Sequence, residues 1–200
     1  MKIDFKKELK EYYNPSAIEI STVNVPIMNY LIIDGQGDPN KSQEYQEAIE
    51  ALFSISFAMK FAIKKNQEID YSVMPLEGLW WSEDEDFNIE NKSSWNWSSM
   101  IVQPEYVNHT LFENVLAETK KKKELVALNK IRWEAYHEGV VAQVMHIGPY
   151  SAEGPTIERL HKFIKEKGFS LRGKHHEIYL SDPRRAKPEK LKTIIRQPIL

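Results

Sequence analysis

Gly173-Lys174-His175-His176-Glu177-Ile178-Tyr179-Leu180-Ser181-Asp182-Pro183-Arg184-Arg185 is the stretch from which the fold can be worked outward. Ile178, Tyr179 and Leu180 favour an extended chain and Asp182-Pro183 ends one, so residues 175–181 are expected to form a strand. Side chains alternate along a strand. That puts His176, Ile178 and Leu180 on one face and His175, Glu177, Tyr179 and Ser181 on the other. The first face reads as core. The second presents a carboxylate with a ring two residues away on a rigid element, so Glu177 is expected to line a pocket shared with aromatic side chains.

The rest of the chain sets the limits. Its 200 residues can bury a substantial core as one large domain or two small ones. With 27 Lys and Arg against 29 Asp and Glu, no global charge directs it to nucleic acid or to a membrane. The absence of Cys excludes disulfides, cysteine zinc sites and thiol nucleophiles. The opening MKIDFKKELKEYY has no signal-peptide core, and no run reaches membrane-spanning length. A soluble cytoplasmic protein is expected. Four of the five Trp (Trp80, Trp81, Trp95 and Trp97) crowd together, with Trp133 apart. Such rings either meet a ligand or form cross-strand pairs in a hairpin.

Residues 1–22 read as an amphipathic lead-in whose helix ends at Asn14-Pro15. VNVPIMNYLIID (23–34) is a strand, turned by Gly35 to Pro39; the glycine spacing matches neither a dinucleotide nor a phosphate loop. Ser42 to Lys65 is the longest helix, N-capped by Ser42, with its Met and Phe content (Phe53, Phe57, Met59, Phe61) expected in the core. A strand over 69–81 broken by Pro75 and Gly78, an acidic loop at 83–86 and a strand from Trp95 to Gln103 follow. Next come a helix from Asn108 to Lys123, a short helical piece before Trp133, and a strand over 133–150. A helix from Pro155 capped by Gly168, the 175–181 strand and a last strand over 192–199 complete the order.

Both halves run strand, helix, strand, strand. Met100-Ile101-Val102-Gln103-Pro104 parallels Ile194-Ile195-Arg196-Gln197-Pro198, and each penultimate strand carries a glutamate, Glu77 and Glu177. The expected fold is α+β: a tandem βαββ repeat of two antiparallel-sheet units about a pseudo-twofold axis, with a ligand cleft at the junction. Residues 1–22 would be the lead-in, 23–124 the first unit with a connecting helix and 125–200 the second.

Three segments carry a resemblance. These are Glu138-Gly139 through Gln143 to His146-Ile147-Gly148-Pro149-Tyr150, the stretch His175 to Arg185, and Pro188-Glu189-Lys190-Leu191-Lys192-Thr193. With Pro75-Leu76-Glu77-Gly78-Leu79-Trp80-Trp81 in the first half, they resemble the GyrI-like small-molecule-binding proteins, stand-alone relatives of the effector domains of multidrug regulators. The resemblance implies one domain with a cleft between repeats. It also implies a glutamate at Glu177 that meets cationic or electron-poor aromatic ligands among stacking rings. In some similar stand-alone members it implies hydrolysis of cyclopropane-bearing DNA-alkylating toxins. No helix-turn-helix segment is present, so a regulator's role carries over poorly.

The residues give the chemistry its candidates. Glu177, or Glu77 as the second carboxylate, could act as general base on a water, while Tyr150 or Tyr136 stabilises charge on the departing side. Tyr179, Trp80, Trp81, Trp97, Trp133, Tyr71 and His175 are the candidate ligand-binding side chains. A cation would gain from the carboxylate and from about 0.5–2 kcal/mol per ring. His146, His175 and His176 do not share a face, so no metal and no cofactor are expected. Arg184 and Arg185 are expected to pair with local acids. The expected partner is a hydrophobic or cationic aromatic small molecule, with no direct nucleic acid and no membrane. Two rivals stand beside a hydrolase: a non-catalytic sensor or sequestering module, and a gyrase-inhibitor-like interaction protein using the acidic loop.

Overall fold

A computed structural model describes residues 1–82 and 94–200; the acidic loop at 83–86 lies outside the described residues. The chain separates into two compact units. One comprises Met1–Phe5, Met28–Leu76 and Trp80–Tyr136; the other comprises Lys6–Ile27, Glu77–Leu79 and His137–Leu200. The elements are β1 (Lys2–Ile3), α1 (Phe5–Glu8), α2 (Lys10–Tyr13), β2 (Ser21–Gln36), α3 (Gln43–Gln67), β3 (Asp70–Tyr71) and β4 (Leu76–Trp81). Further along come β5 (Asn96–Gln103), α4 (His109–Lys122), β6 (Arg132–Ile147), α5 (Gly154–Glu166), β7 (His175–Tyr179) and β8 (Lys192–Pro198). Among the six longer strands, β5 lies between β2 and β4 in the first unit and β8 between β7 and β6 in the second. The fold is mixed α and β, with antiparallel β2–β5, β6–β8 and β7–β8 ladders.

In the first unit, β2 pairs with β5 from Asn29↔Gln103 to Gln36↔Asn96. Gly35, expected in a turn, is instead a strand residue directly opposite Trp97, and a Cβ there would sit 2.2 Å from the indole. The turn begins at Gly37, whose φ of 100° suits glycine. Ser42 caps α3 by accepting from the Tyr45 N–H, and Asn108 caps α4 by accepting from that of Leu111. The expected strand over 69–81 is two strands. Pro75 lacks a donor and separates them, and β3 pairs in parallel with β1 instead. The expectation for α3 also needs correction. Leu52, Ile55, Met59 and Ile63 are buried at helical spacing, which turns Phe57 and Phe61 outward, 45% and 60% exposed.

In the second unit, β8 lies between β6 and β7. One face of this sheet packs Ala142, Val144 and Ile195 against Leu160 and Ile164 of α5. Gly168 ends α5 at φ 81°, and the Phe169 N–H donates to the Ile164 carbonyl. Burial alternates along β7: His176 and Ile178 are wholly buried, while Glu177 and Tyr179 keep some surface. Arg184 and Arg185 both pair with Asp182.

Candidate functional site

Two clusters of functional groups sit back to back on β7. On the face that β7 shares with Thr193 and Ile195, the Glu177 side chain is 14% exposed and each carboxylate oxygen has a hydrogen-bond partner. Tyr179 donates its hydroxyl to Oε2 at 2.7 Å, and His175 Nε2 lies 3.1 Å from Oε1. The Tyr150 ring meets that of Tyr179 edge-on at 5.6 Å. Burial, then the negative charges of Glu153, Glu177 and Asp182, push the Tyr150 phenol up to about 12. It therefore remains a proton donor at neutral pH. A carboxylate presented between two phenols and an imidazole can take a proton from a bound water or receive a cation.

Behind β7 lies a buried ionic network that the sequence reading did not single out. Gln143, Arg196 and His176 form a row across β6, β8 and β7, because each pair is in register. Arg196 donates from Nε to Gln143, from Nη1 to Glu138 at 3.0 Å and from Nη2 to the Tyr12 carbonyl at 2.6 Å. His176 Nδ1 lies 2.7 Å from Glu138 and its Nε2 3.0 Å from Glu77. Tyr13 donates to the other oxygen of Glu77 at 2.6 Å. Two carboxyl groups thus face one guanidinium and one imidazole. Burial alone would lower His176, but the charge of Glu138 and the bonds to Glu138 and Glu77 raise it to about 9. Burial would likewise raise Glu138, yet His176 and Arg196 hold it down to about 2. Arg196 was legible as an anomaly, a charged residue between Ile194 and Pro198 on one face of its strand.

The candidates named from the sequence fall into separate places. Glu177, Tyr179, His175 and Tyr150 are together. Glu77 is fully buried, bonded to Tyr13 and His176. In the first unit Trp80 and Trp97 are buried around Tyr45, at 5.7 and 5.0 Å between ring centroids, and Trp80 also meets Trp95. Tyr71 is buried against Tyr106, and burial raises its phenol. Tyr136 stands edge-on to Tyr30, and Trp133 packs with Phe112 and His109. Trp81 and Trp133 are half-buried. Two surface grooves of about 310 and 220 Å³ lie elsewhere, beside α3, and none of these candidates lines them. Among the described residues no group of three or more His, Asp or Glu could hold a metal ion, and no helix is long and apolar enough to cross a membrane.

The chain belongs to the GyrI-like family: the model of the GyrI-like small molecule binding domain matches residues 18–200. It is similar to an uncharacterised conserved protein of Listeria innocua, with 39% identity and a TM-score of 0.92 over 99% of this chain and 100% of that one. It is also similar to a hydrolase encoded by lin2189 of Listeria innocua, with 39% identity and a TM-score of 0.88 over the whole of both chains. The EcmrR C-terminal domain shares the fold at 13% identity and a TM-score of 0.55, over 91% of this chain and 97% of that domain. None of the curated proteins matched.

Proposed function

We propose that the Glu177 cluster binds flat hydrophobic or cationic small molecules and hydrolyses the strained ring of cyclopropanoid genotoxins. The observation that carries this reading is the setting of Glu177: partly open, each oxygen fixed by a neighbour, and beside a phenol that stays protonated. In the reaction Glu177 removes a proton from water as the water oxygen bonds to a ring carbon. The cleaved carbon–carbon bond delivers its electron pair into the conjugated acceptor, and the proton held by Glu177 is returned there. The Tyr150 hydroxyl donates to the developing anion. Ring strain supplies much of the driving force, so one oriented base is enough.

Glu77, sealed off by Tyr13 and His176, is assigned the supporting role of fixing β7 from behind. Within the same unit, Tyr150 and Tyr179 are the rings proposed for contact with the ligand. The similarity to a hydrolase of Listeria innocua at 39% identity favours catalysis over mere sequestration. The same strand, helix, strand, strand order occurs twice, as β2-α3-β4-β5 interrupted by β3 and as β6-α5-β7-β8. That order supports descent from a duplicated βαββ unit.

The test is ring opening of a cyclopropanoid followed by mass spectrometry. Glu177→Gln should lower kcat at least a hundredfold and, by removing the charge, should also weaken binding of a cationic dye. Full turnover by Glu177→Gln would overturn the assignment of the base. Dye binding without any turnover by the wild type would leave a sequestering module instead.

A further inference from the structure

The outer face of α3 carries an ordered charge pattern that the small-molecule site does not use. Glu47 and Glu50 occupy the N-terminal half, the tilted rings of Phe53 and Phe57 meet at 6.2 Å in the middle, Phe61 follows one turn later, and Lys64 and Lys65 lie in the last turn. At the rotation of an α-helix, Glu50, Phe57, Phe61 and Lys64 fall in a band roughly 60° wide. That band lies opposite the buried Leu52, Ile55, Met59 and Ile63. Beside it runs the groove of about 310 Å³, floored by Ala58, Ala62 and Val115 and edged by Lys122. A separate groove of about 220 Å³ is lined by Glu47, Glu50 and Val126, the last 69% exposed.

We propose that this face binds a second copy of the chain, with the two α3 helices antiparallel about a twofold axis through Phe57. Glu50 and Lys64 are both seven residues from Phe57, and Phe53 and Phe61 are both four. The axis therefore sets Glu50 against the partner's Lys64, Phe53 against the partner's Phe61, and Phe57 against itself. A face that is acidic at one end, aromatic in the middle and basic at the other complements its own reverse. An acidic or basic partner would meet like charge at one end, and a parallel copy would set Glu on Glu. The surface thus selects a self-complementary, isologous contact. The rings supply the apolar burial, while the charged ends fix direction. Lys64 already reaches Asp70 at 2.7 Å, but Lys60 serves the same carboxylate at 3.4 Å and an ammonium has three donors.

Sedimentation velocity on the full chain, from about 1 µM to about 1 mM, reads this directly. The wild type should show a concentration-dependent dimer, and Phe57→Glu should weaken it at least tenfold. Glu50→Lys alone and Lys64→Glu alone should each weaken it, and the double variant should recover. A second readout uses the cysteine-free background: Phe57→Cys introduces a sole thiol at the axis and should oxidise to a covalent dimer, whereas Lys121→Cys on α4 should not. A wild type that stays monomeric throughout overturns the proposal. So does a dimer indifferent to Phe57→Glu, a double variant no better than the singles, or cross-linking through Lys121→Cys as fast as through Phe57→Cys.

Discussion

Arg196 shows how much depends on single side chains in the second unit. Its guanidinium is fully buried and spends its three nitrogens on Gln143, Glu138 and the Tyr12 carbonyl. Replacing it with Met leaves Glu138 buried with a single cation. Breaking a buried pair from one side should cost about 3–5 kcal/mol, read as a lower urea midpoint. Tyr13→Phe is milder. It removes the hydroxyl that donates to Glu77 without creating a cavity, and should cost about 1–3 kcal/mol. Both belong to the network on the other face of β7 from Glu177, so any loss of the proposed activity in these variants should track loss of folded protein.

At the scale of elements, the strands and helices were largely legible because hydrophobic period and caps act locally. Ser42 and Asn108 begin their helices, and Gly168 ends its own, where cap chemistry says they should. What escaped the sequence was set by contacts far along the chain. Gly35 looked like a turn glycine beside Gly37, yet it is needed where Trp97 lies across it in the ladder. Gly35→Ala would drive a methyl into an indole that Tyr45 already abuts. Such overpacking should cost about 1–3 kcal/mol, seen as a lower thermal midpoint. The Phe residues of α3 misled for a related reason: composition places aromatic residues inside, but the period of Leu52, Ile55, Met59 and Ile63 leaves no inward position for Phe57 and Phe61. The alternation that exposed Glu177 was readable from β7 alone. The network behind it was not, since it joins α2, β4, β6, β7 and β8.

For the molecule as a whole, that network makes folding stability depend on pH in a defined direction. His176 binds its proton far more tightly folded, to about 9, than in an open chain, where a histidine titrates near ~6.5. A raised folded value means that its contribution is fully present below ~6.5 and is lost as pH climbs through about 9. Glu138 runs the other way. Held down to about 2, it contributes above its unfolded range near ~4.3 and loses that contribution as pH falls towards about 2. The two shifts describe one shared interaction and are not additive. Urea titrations between pH 6.5 and 9 should therefore show the unfolding free energy falling by on the order of 3 kcal/mol. His176→Gln keeps the ring-sized polar group but cannot titrate, so subtracting its profile from that of the wild type cancels the other ionisable groups. The difference should slope downward across that window and be flat between ~5 and ~6. A flat difference up to pH 9 would mean that His176 is neutral between Glu77 and Glu138, with the second proton of the cluster carried by a carboxyl.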